Sequence, residues 1–235
     1  MKHLVSTLLL AGSLGLATAA QAQVQVSLGP RVGENLSTHR LDADDATSAY
    51  RFGLAAGVQA SLSWKKFALQ PALLFSQKGS SVSEELLFST NGGTLQAGTF
   101  TTKVRLSYLT LPLNFVFAPA GTGTGPQVFA GPYLGVLLGG RLEQSYPPDL
   151  ATSGPVYVVG NGDIPSAPGY YSNRFDAGVQ GGVGFRFEHL LLQAEYSLGL
   201  RNQFPAYSTN PLVPNRTEYN RSFQASVSYL FDLKH

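Results

Sequence analysis

Apolar and polar positions alternate through most of the chain, most regularly over Phe175–Phe187, FDAGVQGGVGFRF. Phe175, Ala177, Val179, Gly181, Val183, Phe185 and Phe187 share one parity; Asp176, Gly178, Gln180, Gly182, Gly184 and Arg186 share the other. A period of two marks a strand, because successive side chains point to opposite faces. The same period predicts strands over residues 23–35, 51–64, 67–78, 100–117, 127–142, 190–201 and 219–233. In the second of these, Phe52, Leu54, Ala56, Val58, Ala60, Leu62 and Trp64 form one face almost without interruption. Two irregularities are expected. Pro30 sits on the apolar side of the first strand and would mark a bulge. Val104 and Leu106 have the opposite parity to Leu109, Leu111, Leu113, Phe115 and Phe117, so a one-residue slip is predicted near residues 107–109.

The connections alternate in length. Lys65-Lys66, residues 118–126 and Glu188-His189 are short turns, whereas residues 37–49, 79–98, 143–172 and 202–218 read as long polar loops. Bacterial outer-membrane barrels combine an even strand number, short periplasmic turns and longer extracellular loops. The fold class expected is therefore all-β: a single eight-stranded antiparallel transmembrane up-and-down barrel with four long extracellular loops. A soluble calyx of eight strands is the competing arrangement. It would turn a charged face to water, and the polar face here carries many glycines and few Lys or Glu.

Composition points the same way. Charged residues are 13% of the chain, about half the roughly 25% of soluble domains. The hydrophobic fraction, 43%, is not raised in compensation, and 26 glycines and 11 tyrosines contribute to the balance. An uncharged lipid face, a polar interior and aromatic girdles have this composition. Two aromatic belts follow: Trp64, Phe67, Phe117, Phe187, Tyr229 and Phe231 near the short turns, and Tyr50, Phe52, Phe75, Phe100, Phe175 and Tyr219 near the long loops. Residues 1–22 have the basic start, Leu-rich run and Ala20-Gln21-Ala22 ending of a cleaved signal peptide, which leaves 23–235 as the barrel domain. Zero cysteines exclude disulfides and thiolate metal sites, and no Lys/Arg cluster suits nucleic acid.

Several strand segments carry a family likeness. They are Leu69-Gln70-Pro71 through Lys78-Gly79, Tyr108-Leu109-Thr110-Leu111-Pro112-Leu113 and Ala130-Gly131-Pro132-Tyr133-Leu134-Gly135. Asp176-Ala177-Gly178 through Gly184, Tyr196-Ser197-Leu198-Gly199-Leu200 and Tyr229-Leu230-Phe231 complete the set. Together they resemble the small outer-membrane β-barrels of the PorT-like type across every strand, with the loops unmatched. The resemblance implies the barrel and an outer-membrane location. It is uninformative about activity, although some members are linked to protein secretion. Phe231, which resembles the terminal insertion aromatic of outer-membrane proteins, is followed here by Asp232-Leu233-Lys234-His235.

The charges on inward parity are Arg51, Asp176, Arg186, Glu195, Arg201 and Asp232, with Lys78, Arg141 and Arg174 near the strand ends. An eight-stranded barrel is just wide enough for side chains to fill. Charges there must pair, since isolated ones are costly out of water. A salt-bridged structural core is therefore expected in preference to a narrow polar pathway. Gly121, Gly123 and Gly125 form a turn, lacking the Lys-Ser/Thr and helix of a phosphate loop. Asp42, Asp44 and Asp45 lack the Gly and Glu of a calcium loop. Asn35, Asn215 and Asn220 begin N-x-S/T triplets of the kind common by chance. No cofactor, metal or catalytic set is predicted. The function expected is a non-enzymatic membrane-anchored scaffold displaying surface loops, accessory to transport or secretion. Its partners would be outer-membrane lipids, the barrel-assembly machinery and envelope proteins met through the loops. A narrow porin-like channel is one alternative. A surface-acting enzyme, centred on His39 and Asp42–Asp45, is the other.

Overall fold

The computed structural model describes residues 24–41, 48–89, 95–146, 150–159, 170–203 and 217–233. They form β1 (Gln25–Leu41), β2 (Ser48–Trp64), β3 (Phe67–Ser89), β4 (Leu95–Phe117) and β5 (Gly125–Tyr146). There follow β6 (Leu150–Val159), β7 (Tyr170–Asn173), β8 (Phe175–Phe187), β9 (Leu190–Gly199), β10 (Glu218–Tyr229) and β11 (Phe231–Leu233). Eight of these close a ring in the order β1-β2-β3-β4-β5-β8-β9-β10, every pair antiparallel, with β10 returning to β1. The predicted signal peptide lies outside the described residues.

Alternation fixes which face turns in. Along β8 and β10 buried and exposed positions alternate as the polar and apolar residues do. The buried set is polar: Ser27, Arg31, Gln59, Gln70, Asn114, Gln180, Glu195 and Gln224 are each 7% exposed or less. The exposed set is apolar, with Leu54, Leu134, Val183 and Phe115 each near 60%. The barrel is thus inside-out relative to a water-soluble fold, and its outer belt far exceeds the apolar patch of a soluble monomer. Most aromatics of the two predicted belts face outward, whereas Phe100 lies opposite Glu84 in the β3–β4 extension and is half-buried. Phe67 meets Phe117 in a tilted contact at 5.5 Å between ring centroids and Tyr229 meets Phe231 edge-on at 4.9 Å, while Phe52 and Phe175 are exposed at the other end.

Two of the short turns put their first residue at positive φ, Lys65 at 54° and Glu188 at 50°, as two-residue hairpin turns matching strand twist require. The turn ends are stitched together: Ala118 N donates to Lys66 O at 2.8 Å and Glu188 N to Thr124 Oγ1 at 3.2 Å. The closing seam needs close approach at Gly29, where a Cβ would run into Tyr229 O.

The structure corrects four details. Pro30 makes no bulge in β1, whose register with β2 runs unbroken through Pro30↔Val58; the irregularity lies on the other side, where β10 gives way to β11. Val104 and Leu106 need no slip in β4, since even positions stay buried from 104 to 116. The bulge is in β5, where Ser107 pairs with Gly139 but Tyr108 with Leu137. Beyond it β5 changes parity, so Leu142 packs inward and Arg141 is exposed. Finally, much of the predicted loop sequence is strand. β3 and β4 stay paired to Ser89↔Leu95, and β6 and β7 extend the sheet beyond β5 within residues 143–172. Outside lipid both faces of a hairpin meet water, so pairing persists without the apolar alternation that reveals it.

Candidate functional site

The barrel interior is the candidate site, built in layers from the short-turn end. Ala68, Val116 and Phe129 form a buried apolar cluster there, with Leu191 and Leu230 fully buried nearby. At the adjoining rim Arg186 Nη2 lies 3.8 Å from Asp232 Oδ1, which also accepts from Ser27 Oγ at 2.7 Å. Arg186 Nε donates to Glu188 O at 2.6 Å. Asp232 is partly exposed, so this pair closes the rim rather than the core.

The middle layer is a hydrogen-bonded amide ladder around one ion pair. Arg31 Nη2 and Glu195 Oε1 are 3.0 Å apart, both almost wholly buried. Gln59 and Gln193 both donate to Gln70 Oε1, at 3.2 and 3.1 Å. Ser228 Oγ donates to Gln59 Oε1 at 2.9 Å, and Gln180 Nε2 to Asn114 Oδ1 at 3.0 Å and Glu195 Oε2 at 3.4 Å. Arg31 Nε, Asn114 Nδ2 and Gln193 Oε1 meet no hydrogen-bond partner.

Asp176 organises the third layer. Its Oδ2 accepts from Asn220 Nδ2 at 2.8 Å and Tyr133 OH at 3.1 Å, and Lys78 Nζ lies at 3.6 Å. Its Oδ1 accepts from Gln203 Nε2 at 3.2 Å. Lys78 Nζ also sits 4.6 Å from the Tyr133 ring centroid and 5.6 Å from that of Tyr108. The cation is met by a carboxylate and two ring faces, which offsets its desolvation. On the β4–β5–β6 side of this layer Val104, Leu106, Tyr108, Leu137 and Val156 form a buried apolar cluster, termed the lid. Both Asp176 oxygens are occupied, so the cluster offers binding and packing but no free base.

Of the charges the sequence places inside, Asp176, Arg186 and Glu195 are buried, in three different layers rather than one network. Asp232 is at the rim. Arg51 is half-buried beside a crevice of about 70 Å³ lined also by Lys78 and Arg105. Arg201 lies outside the interior: β9 ends at Gly199, and the exposed guanidinium stands over the Phe175 ring at 5.7 Å. Arg174 is exposed too. Lys78, placed near the strand ends by the sequence, is buried in the Asp176 layer toward the long-loop end. Arg31 was missed as an ion-pair member although its parity is inward, and Tyr108 because Val104 and Leu106 obscured the parity of β4. Asn35 and Asn220 are buried inside the barrel. The Asp42–Asp45 group lies outside the described residues, as does the side chain of His39.

The outer membrane protein beta-barrel domain model matches residues 20–205. No curated protein matches the chain. Among solved structures the chain is similar to the attachment invasion locus protein Ail of Yersinia pestis, with 10% identity and a TM-score of 0.40 over 88% of this chain and 99% of that one. It is similar also to Neisserial surface protein A, with 10% identity and a TM-score of 0.43 over the same shares.

Proposed function

This chain belongs to the outer membrane protein beta-barrel domain family and resides in the cell outer membrane, and from that premise we propose that it is a non-enzymatic, non-conducting anchor. The barrel holds a scaffold in the bilayer and displays strand-built extensions at its long-loop end. The observation that carries this reading is the filled interior. Ala68, Val116 and Phe129 pack apolar side chains on the β3–β4–β5 wall toward one end, the Leu106–Tyr108–Leu137–Val156 cluster does so toward the other, and the Gln193–Gln70 and Gln180–Asn114 hydrogen bonds join opposite walls between them. A barrel of eight strands has no room for an aqueous channel beside such a filling.

The extensions supply surface for partners. A membrane-crossing strand needs about 9–11 residues; β3 and β4 have 23 each, so roughly half of that hairpin stands clear of the hydrocarbon. Envelope proteins met through it, and an accessory role in transport or secretion of the PorT-like kind, are the finer terms of the proposal. The surrounding lipid and the assembly machinery are its remaining partners. Reconstitution into planar bilayers tests the central claim. The folded protein is expected to give no unitary conductance, and steady single-channel steps would overturn it in favour of a narrow channel.

A further inference from the structure

Glu34 points the wrong way. It is on the outward parity of β1, paired across the sheet with Leu54 of β2 and Ala225 of β10, and exposed where its neighbours Val32 and Leu54 face lipid. It has no ion-pair partner among the described residues. An ionisable group on the lipid-facing surface is a site candidate by default.

The surface beside it is recessed. The register carries one transverse row from Leu54 through Glu34, Ala225 and Ala194 to Val183. Two adjacent alanines make a floor, and Val32, Val227, Leu192 and Phe185 form the wall on the short-turn side. The resulting open groove has a volume of about 810 Å³. It crosses five strands, hence about 19 Å along the row at the usual strand spacing of about 4.8 Å. It is also inclined. On β8 the row is met at Val183, four residues above Phe187 of the short-turn aromatic belt. On β1 and β2 it is met one step below the Leu36↔Phe52 pair of the long-loop aromatic belt. The carboxylate therefore stands at the upper end of the groove, close to the interface, and the apolar remainder descends toward mid-membrane.

We propose that this groove binds a single acyl lipid whose headgroup carries a primary ammonium, the N–H donors meeting Glu34 and a chain lying on Ala225 and Ala194. The inference rests on the outer-membrane reading above, with the long-loop end in the outer leaflet. An acyl chain fits the depth and inclination, and the ammonium fits the lone carboxylate.

Native mass spectrometry of the detergent-purified barrel tests it, using dioleoyl phosphatidylethanolamine, its phosphatidylcholine counterpart, which keeps the positive charge but has no N–H, and anionic phosphatidylglycerol. Wild type is expected to retain the ethanolamine lipid about tenfold better than the other two, the size of one charge-assisted hydrogen bond. Glu34→Gln should reduce that preference severalfold, and Ala194→Leu or Ala225→Phe should displace all three lipids. Heat-modifiable mobility of each variant separates lost binding from lost folding, and conductance is unaffected either way. Equal retention of the three lipids by wild type, or undiminished preference in Glu34→Gln, overturns the proposal. So does a two-chain mass that Ala225→Phe abolishes, which would assign the groove to a second copy.

Discussion

Asp176 is almost wholly buried, where an isolated charge is costly, and its neighbours compensate it. Lys78, Tyr133, Asn220 and Gln203 all reach it, so the carboxylate is compensated by four groups from four strands or loops. Removing it leaves the Lys78 ammonium buried, with ring faces as its remaining compensation. Breaking a buried pair by deleting one partner costs about 3–5 kcal/mol, whereas replacing both partners with apolar groups is often neutral. Asp176→Ala is therefore expected to lower folding stability by about that amount in urea titrations in lipid, and Asp176→Ala with Lys78→Met to recover most of it. A loss below about 0.5 kcal/mol, in the range of an ordinary surface substitution, would show that the pair does not hold the interior. The same logic explains Arg31 and Glu195, whose ion pair is supported by Gln59 and Gln180.

Among the strands, the sequence told most where one face meets lipid and the other meets side chains. β8 follows its predicted bounds, and the paired halves of β2 and β3 between Trp64 and Phe75 alternate as read. The pattern fails where that asymmetry ends. In β3 beyond Gly79 and in β4 before residue 100, the sequence puts polar and small residues on both parities, and nothing in it distinguishes a water-exposed hairpin from a loop. The register there is held by backbone pairing, Gly79↔Arg105 through Leu87↔Ala97, which leaves no periodic trace. The inward Val104 and Leu106 mislead for a related reason: the lid is apolar on the face expected to be polar. Because β3 and β4 extend past the ring, their outer parts should be dispensable for it. Excision of residues 84–99 with a short Gly-containing turn is expected to leave a folded, heat-modifiable barrel while removing the surface-proteolysis sites of that hairpin. Loss of the heat-modifiable band would show that the projection takes part in barrel folding.

At the scale of the whole molecule, closure ties every strand's parity to every other's. Once β10 pairs with β1, a single assignment of inside and outside must satisfy all eight ring strands. The polar network and the apolar belt are consequences of that one choice. It makes remote positions equivalent: Leu134 on β5 and Val183 on β8 are separated in sequence, yet both are nearly 60% exposed in one continuous belt. A cation on the lipid face within the belt costs about 2–4 kcal/mol near the bilayer midplane and less toward its edges. Leu134→Arg and Val183→Arg are each expected to reduce folding stability in phospholipid vesicles by up to that amount. The penalty should shrink in short-chain detergent, where water and headgroups approach the belt more closely. This solvent dependence distinguishes a lipid-facing position from an internal one, since a clash or unpaired charge inside the barrel would persist in either medium. Unchanged stability of both variants in vesicles would mean that the apolar face does not meet lipid, and with it the inside-out assignment would fall for the whole ring.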